Sequence, residues 1–331
     1  MIYNFRFDRD RRETVLRRLQ EQGELCQGWG GGTDPNHHLQ KENFRKRTVE
    51  TYDMENTNVA TNLTRMRDFN DGDRLVTPHL PEKGTVSVHE VQGAFPECYT
   101  YVDEDDTHLN HRIQIRQSWG LNGTISANHW KFAPWKAKLP WFRLPIIAIE
   151  GVGTGFQEIV AALREDPSQE FPESDLSKYL NEMESELVGE TQSRLERIAP
   201  SGSGISFEEI ALHILRTEGY VKKGQHHYNG VGGDVDFVLT RDEVTPFEAD
   251  ETVLFVQVKK HTGKTGVGAV KQVVQMMEKE PDAGGCVITL ADRFSDEAQE
   301  LAERNGIALI DGSTTCRLLM QRLYDPSGTT L

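Results

Sequence analysis

Two segments, DVDFVLT at 234–240 and TVLFVQVK at 252–259, constrain the fold of this chain more than any others. Both are of strand length, rich in β-branched and aromatic residues, and joined by a polar stretch. Side chains alternate along a strand, so Phe255, Gln257 and Lys259 fall on one face of the second segment. Helical patterns surround the pair. Ser206 is placed to cap a helix over Phe207–Glu218, with Glu209 at the third position as in a capping box, and Gly219 ends it. Val267–Glu278 reads as a helix, Gly285–Thr289 as a strand, Ser295–Asn305 as a helix, Ile307–Ile310 as a strand and Thr315–Leu323 as a final helix. Strands alternating with helices imply a mixed sheet flanked by helices, an α/β domain over 205–331.

A chain of 331 residues is long for one core, which points to two domains. Residues 1–150 follow a different pattern. Arg74–Pro78, Thr85–Val91 and His111–Arg116 are short alternating runs punctuated by Gly, Asp and Pro, as in small twisted sheets or barrels. Asp10–Gln22 and Lys41–Thr48 look helical ahead of them, so this part reads as β-rich with flanking helices. In 151–204, Phe156–Leu163 and Asp175–Ile198 read as two helices with acidic polar faces, and Ala199-Pro200-Ser201-Gly202-Ser203-Gly204 breaks the pattern. This stretch is expected to be a helical connector.

Hydrophobic residues at 37% and charged residues at 27% suit a globular protein rather than a disordered one. No apolar run reaches the roughly 18 residues a membrane span needs. The amino-terminal stretch lacks the apolar core of a signal peptide, and the expected location is cytoplasmic. Cys26, Cys98, Cys286 and Cys316 are isolated from one another and from any zinc-type spacing, so they read as reduced, buried thiols.

The formal net charge is −15, unfavourable for a partner made of phosphates. Its distribution softens this. Residues 1–150 carry 20 Lys+Arg against 21 Asp+Glu, residues 151–204 carry 4 against 11, and residues 205–331 carry 13 against 20. The first part is nearly neutral and holds the basic clusters at Arg9–Arg12, Arg17–Arg18 and Arg45–Arg47, which read as solvated faces or phosphate contacts.

The chemistry is concentrated in Gly232-Gly233-Asp234-Val235-Asp236, followed by Gln257-Val258-Lys259. An antiparallel pairing of the two strands would bring the Asp236 carboxylate beside Gln257. An acid, a second oxygen ligand and an ammonium then meet at one end of a sheet, a combination suited to phosphodiester hydrolysis. Asp236 and Gln257 are the expected metal ligands, Mg²⁺ the expected ion with Mn²⁺ as a substitute, and Lys259 the group that orients water or stabilises transition-state charge. Glu208 is expected to reach the metal through water. Asp234 reads as a turn acid. His226 and His227, adjacent on an extended stretch, point apart and read as solvent-exposed or facing a nucleic acid. Gly263-Lys264-Thr265-Gly266 lacks the spacing of a phosphate-binding loop.

The blocks ISFEEIALHILRTEGY, GGDVDFVLT, LFVQVKK, GVGAVKQVV and CVITLADRFSDEAQELAERNGIALIDG occur in order over 205–322. Together they resemble the catalytic domain of Mrr-type restriction endonucleases, in the PD-(D/E)xK superfamily with the Asp…Gln-x-Lys variant. The resemblance implies a restriction-endonuclease-like fold, assigns Asp236, Gln257 and Lys259 to the active site, and makes Glu208 the first-helix acid. The family commonly shows two glycines directly before the aspartate; here Asp234 and Val235 intervene, which leaves open a contribution from Asp234.

In the first part, Gln27-Gly28-Trp29-Gly30, DGDRLVTPHLPEKGTVSVHEVQG, Tyr99-Thr100-Tyr101 and HLNHRIQIRQSWGL are similar to the PUA-like superfamily near the EVE and YTH groups. That similarity implies a β-rich barrel holding a single modified or flipped base. Trp29 would be one aromatic wall and Trp119 or Trp130 another, with Asn128 or His129 reading the base edge. Trp119 reads equally well as barrel core. Trp130, Trp135 and Trp141, in HWKFAPWKAKLPW, would grip a backbone or pack inside.

The expectation is a PUA-like base-sensing domain at 1–150, an acidic connector at 151–204 and a nuclease domain at 205–331. Together they would form a homodimeric, modification-dependent (type IV-like) DNA endonuclease of antiviral defence. Two rivals remain: a reader of modified nucleic acid that does not cut, and a nuclease switched on by a small nucleotide signal bound in the first domain.

Overall fold

The computed structural model describes residues 1–7, 9–28, 62–102, 105–142, 144–201, 205–228, 233–241, 253–278, 280 and 283–323. Trp29, the basic cluster at Arg45–Arg47 and the expected helix at Lys41–Thr48 lie outside them. The chain divides into two compact units, Met1–Lys178 and Tyr179–Leu331. The stretch 151–204, expected as a connector, is thereby shared between the two.

The first unit is built on a seven-stranded sheet. Its strands are β1 (Ile2–Phe5), β2 (Glu24–Gln27), β3 (Arg74–Pro78), β4 (Val86–Val91), β5 (Tyr99–Tyr101), β6 (His111–Trp119) and β7 (Ile146–Ala148), ordered β2-β6-β4-β3-β1-β7 with β5 also on β6. β1 runs parallel to β3, and the remaining pairs are antiparallel. β6 has nine residues and serves two neighbourhoods. Its first half pairs with β2 and β5, its second half with β4 after a register shift at Glu90/Val91. Such a shift bends a strand, and the sheet curls as a half-barrel. Among the described residues no pairing joins β2 to β7, so a closed barrel of the expected kind is not shown.

Helix α1 (Arg12–Gln22) packs Val15 and Leu19 onto this sheet and ends at Gly23, whose φ of 69° suits a residue without Cβ. A short helix, α2 (Ala133–Lys138), carries Trp135, whose Nε1 donates to the buried Asn4 Oδ1 at 3.0 Å. Helix α3 (Thr154–Glu165) places Phe156 against Phe132 with ring centroids 4.1 Å apart. Gly155 permits this approach, since a Cβ there would lie 2.2 Å from the Lys131 carbonyl oxygen. Arg18, from one of the basic clusters, is turned inward, with Nη1 2.7 Å from Asp105 Oδ2.

Helix α4 (Asp175–Leu195) follows, and the division between the units falls within it. The second unit holds α5 (Phe207–Thr217), β8 (Val221–Tyr228), β9 (Asp234–Thr240), β10 (Val253–Lys259), β11 (Lys264–Thr265) and α6 (Val267–Met277). After them come β12 (Gly284–Thr289), β13 (Arg293–Phe294), α7 (Asp296–Arg304), β14 (Ile307–Ile310) and α8 (Gly312–Leu323). Five of these strands form one sheet in the order β14-β12-β10-β9-β8. The half from β8 to β10 is antiparallel and the half from β10 to β14 is parallel, a mixed sheet flanked by helices as the sequence implied. Val270, Val273 and Met277 of α6 and Ala298 and Ala302 of α7 pack with Phe255, Val287 and Ile307 of the sheet. Gly285 on β12 makes room for this layer; a Cβ there would sit 2.6 Å from Val273 Cγ1 and 2.8 Å from Ile307 Cγ1. β11 and β13 make a separate two-stranded pair, where Thr265 shares a buried 2.9 Å hydrogen bond with Thr289. The Lys264-Thr265 strand therefore has a structural role. All four cysteines are buried. Among the described residues no helix is long and apolar enough to cross a membrane.

Candidate active site

β9 and β10 pair with Phe255 opposite Val238 and Val256 opposite Phe237. Carried one step further, this register sets Gln257 opposite Asp236. The contact follows: Gln257 Nε2 donates to Asp236 Oδ2 at 2.6 Å, and the Val258 amide donates to the same oxygen at 2.6 Å. Two donors on one carboxylate oxygen fix the group's orientation and leave Oδ1 turned elsewhere. Gln257 is 2% exposed, and its Oε1 is buried with no hydrogen-bond partner among the described residues. A buried acceptor left without a donor costs about 1–3 kcal/mol, so it marks a place where another species belongs.

Glu208 arrives from the other direction. Ser206 Oγ accepts from the Glu209 amide at 3.2 Å while Glu209 Oε2 accepts from the Ser206 amide at 2.9 Å, the expected capping box. Glu209 is thereby committed to the cap, and Glu208 in the same turn is free to face the sheet. Burial, joined by the Asp236 charge, raises the pKa of Glu208 above the ordinary carboxylate range, and His226 opposes this. Burial also raises Asp236, with Asp234 adding to it and the Val258 amide, Lys259 and His226 pulling the other way. Two carboxylates raised by burial and by neighbouring negative charge, Asp236 on Glu208 and Asp234 on Asp236, form a site that a cation would relieve.

The residue that sequence reasoning set aside is His226. β8 pairs with β9 so that Gln225 faces Phe237 and His227 faces Val235, which puts His226 level with Asp236. His226 has a φ of 50°, a left-handed conformation unusual for a residue with Cβ. Its Nε2 lies 3.8 Å from Glu208 Oε2 and its Nδ1 3.8 Å from Asp236 Oδ1. Glu208, His226 and Asp236 offer ligand atoms that all lie within 4.8 Å of one another. His226 is exposed, as the sequence implied; that it also stands beside two carboxylates depends on β8, which VKKGQHHY, without apolar alternation, did not disclose as a strand. His227 is exposed, and Asp234 acts on Asp236 through its charge. Lys259 ends β10, its carbonyl accepting from the Leu290 amide at 3.1 Å and from Thr289 Oγ1 at 3.0 Å, while its positive charge acts on Asp236. Lys260 instead donates to the Glu196 carbonyl at 2.6 Å.

The expected base-pocket residues of the first unit are placed as follows. Trp119 is 6% exposed, with the Arg164 guanidinium 5.3 Å from its ring centroid. Trp130 is 63% exposed and lines a surface depression of about 200 Å³ with Lys131, Pro134, Val152 and Glu158. Asn128 Nδ2 donates to Glu173 at 3.2 Å and its Oδ1 accepts from Lys136 Nζ at 2.6 Å. His129 accepts from the Lys131 amide and sits edge-on to Phe171. Trp135 and Trp141 are buried.

No curated protein matches the chain. Among solved structures, the MspJI restriction endonuclease in complex with a 27-mer oligonucleotide is similar over 46% of this chain, at 19% identity and a TM-score of 0.26. The match covers 32% of that chain, so this protein spans about a third of its length. Residues 201–319 match the family model of the Mrr catalytic domain, described as restriction endonuclease. The segment that brings Glu208, Asp236, Gln257 and Lys259 together is therefore similar to a restriction endonuclease domain.

Proposed function

We propose that this protein is a metal-dependent endonuclease that hydrolyses DNA phosphodiester bonds at Asp236, Gln257, Lys259 and Glu208. The observation that carries the reading is the buried, unpartnered Gln257 Oε1 beside a carboxylate already oriented by two donors. Oxygen atoms of Asp236, Gln257 and Glu208 fit a divalent cation of the Mg²⁺ or Mn²⁺ class. When bound, such an ion supplies Lewis-acid polarisation of the phosphate and a lowered pKa for water.

The chain's own groups do the rest. Asp236 stays fixed through the Val258 amide and Gln257, so its second oxygen faces outward without further reorganisation. Lys259 brings a positive charge to the end of β10, where it stabilises negative charge developing on phosphorus-bound oxygens. Glu208, held beside Asp236 at the same site, is placed to accept a proton from an attacking water.

The substrate reading rests on the first unit, which we take to present a modified or flipped base to this nuclease, with Trp130 as the exposed aromatic. A double-strand cut requires two such sites, hence a homodimer, which sedimentation at cleavage concentrations would reveal. The decisive assay compares modified and unmodified duplexes with Mg²⁺ or Mn²⁺. Lys259→Ala should lower cleavage by at least about a hundredfold, consistent with loss of one transition-state contact, while leaving binding to the duplex intact. A Lys259→Ala protein that cuts as fast as the parent sinks the active-site assignment.

A further inference from the structure

His226, Asp236 and Gln257 lie in a row across three neighbouring strands, with Glu208 facing the first two from α5. We propose that His226 gives an imidazole nitrogen to the metal at this site, and that the site consequently prefers Mn²⁺ to Mg²⁺. This rests on the nuclease reading only for the existence of a metal.

Three observations carry it. The first is spacing. The ring's Nε2 stands 3.8 Å from Glu208 and its Nδ1 3.8 Å from Asp236, too far for hydrogen bonds, which require about 3.2 Å or less. Gln225 Nε2 lies 3.2 Å from the ring's Nε2, so Nδ1 is the nitrogen turned to Asp236. Ligand bonds of about 2.0–2.2 Å put the atoms around one ion roughly 3–4.4 Å apart. Taking one nitrogen of the ring and one oxygen of each carboxylate, the three atoms lie within 4.8 Å of one another, so a small closing motion brings them onto a single cation. The second is backbone conformation. His226 holds φ at 50° within a strand, a left-handed state that costs about 1 kcal/mol or more for a residue with Cβ. Its neighbours Gln225 and His227 keep regular pairing with β9, so the departure is confined to the residue whose ring meets the carboxylates. The third is independent of the histidine: the buried Gln257 Oε1 has no partner among the described residues and belongs to the amide held against Asp236.

The metal preference follows from ligand chemistry. Mg²⁺ takes hard oxygen ligands and keeps its waters, whereas imidazole nitrogen suits first-row transition ions. Gln257 is a neutral amide, so it offers Mg²⁺ an oxygen without a negative charge. An oxygen-only site built on Glu208, Asp236 and Gln257 would have two charged ligands; His226 adds a nitrogen donor without adding charge.

The test is binding of Mn²⁺ alone to the full-length protein, read by electron spin-echo modulation and by calorimetry. The parent protein should show ¹⁴N coupling from one bound imidazole and bind Mn²⁺ at least tenfold more tightly than Mg²⁺. His226→Ala should lose the coupling and at least tenfold in Mn²⁺ affinity, with Mg²⁺ affinity changed less than threefold. His226→Asn, which tolerates the left-handed backbone, should keep the parent's thermal unfolding temperature and also lose the coupling. His227→Ala should retain it. Mn²⁺ bound without ¹⁴N coupling in the parent, or coupling that survives both His226 variants, overturns the proposal. Coupling that behaves as expected in a protein that cuts no DNA would sink the nuclease reading and leave the histidine ligand standing. Equal use of both ions without coupling would do the reverse.

Discussion

At the scale of single residues, burial decides what each polar group can do. His89 is fully enclosed between Ser87 Oγ and Ser118 Oγ, each 2.9 Å from a ring nitrogen, and burial pushes its pKa down to about 3. The native ring is neutral, while the unfolded chain's histidine binds a proton near pH 6.5. The unfolded state therefore takes up more protons below that value. Stability of the first unit is full above about pH 6.5 and falls as pH drops toward 3, by up to about 1.4 kcal/mol per pH unit. Asp105 adds to the loss at the acidic end. Burial alone would raise it, but hydrogen bonds from Arg18, Thr107 and Arg112 outweigh that and hold it below the carboxylate range. All five tryptophans precede residue 142, so tryptophan fluorescence reports this unit. Urea midpoints read that way should fall between pH 7.5 and pH 5, and His89→Gln should flatten the dependence. Unchanged midpoints in the parent protein would refute the neutral-histidine account.

Among the elements, glycines separate packing from propensity. Gly285→Ala forces a methyl group into Val273, Ile307 and Met277 and should cost about 1–3 kcal/mol. Gly268, in the first turn of α6, has nothing within 4 Å of a built Cβ, so Gly268→Ala should stabilise by about 0.5–1 kcal/mol. Urea unfolding followed by far-UV circular dichroism distinguishes the two signs. The same contrast explains which elements were legible. β9 reads from the alternation of Val235, Phe237 and Leu239 with more exposed neighbours, and α5 from its Ser206–Glu209 cap. Asp236 beside Gln257 followed from period and pairing alone. β8 could not be read this way. Val221–Tyr228 is polar, exposed over most of its length and interrupted by a register shift at Lys222/Gly224. Only its backbone pairing to β9 makes it a strand, and the ring position of His226 depends on a φ that no pattern encodes. In the first unit the short runs were legible, but how they close depends on long-range pairing, as with β1 on β3 and β7.

For the whole molecule, charge sets the manner of binding. A chain of net charge −15 has few cations to spare for counterion release, and the nearly neutral residues 1–150 carry most of them. Affinity for duplex DNA should therefore depend weakly on salt, with a log–log slope of no more than about 3 in magnitude, measured by fluorescence anisotropy between 50 and 300 mM, roughly. A slope near 8, roughly that of a strongly basic binder, would argue that a cationic surface dominates recognition. The second sheet also dictates an order of assembly. β8 and β9 are adjacent in sequence and pair antiparallel, whereas β10 reaches β12 only after the α6 crossover. Local pairs close quickly and crossovers slowly. The imidazole, the Asp236 carboxylate and Gln257, on three consecutive antiparallel strands, can thus meet early, while Glu208 joins only when α5 packs on the sheet. An ion that needs all of them binds only the completed site, so saturating Mn²⁺ should leave the refolding rate of the second unit nearly unchanged and slow its unfolding.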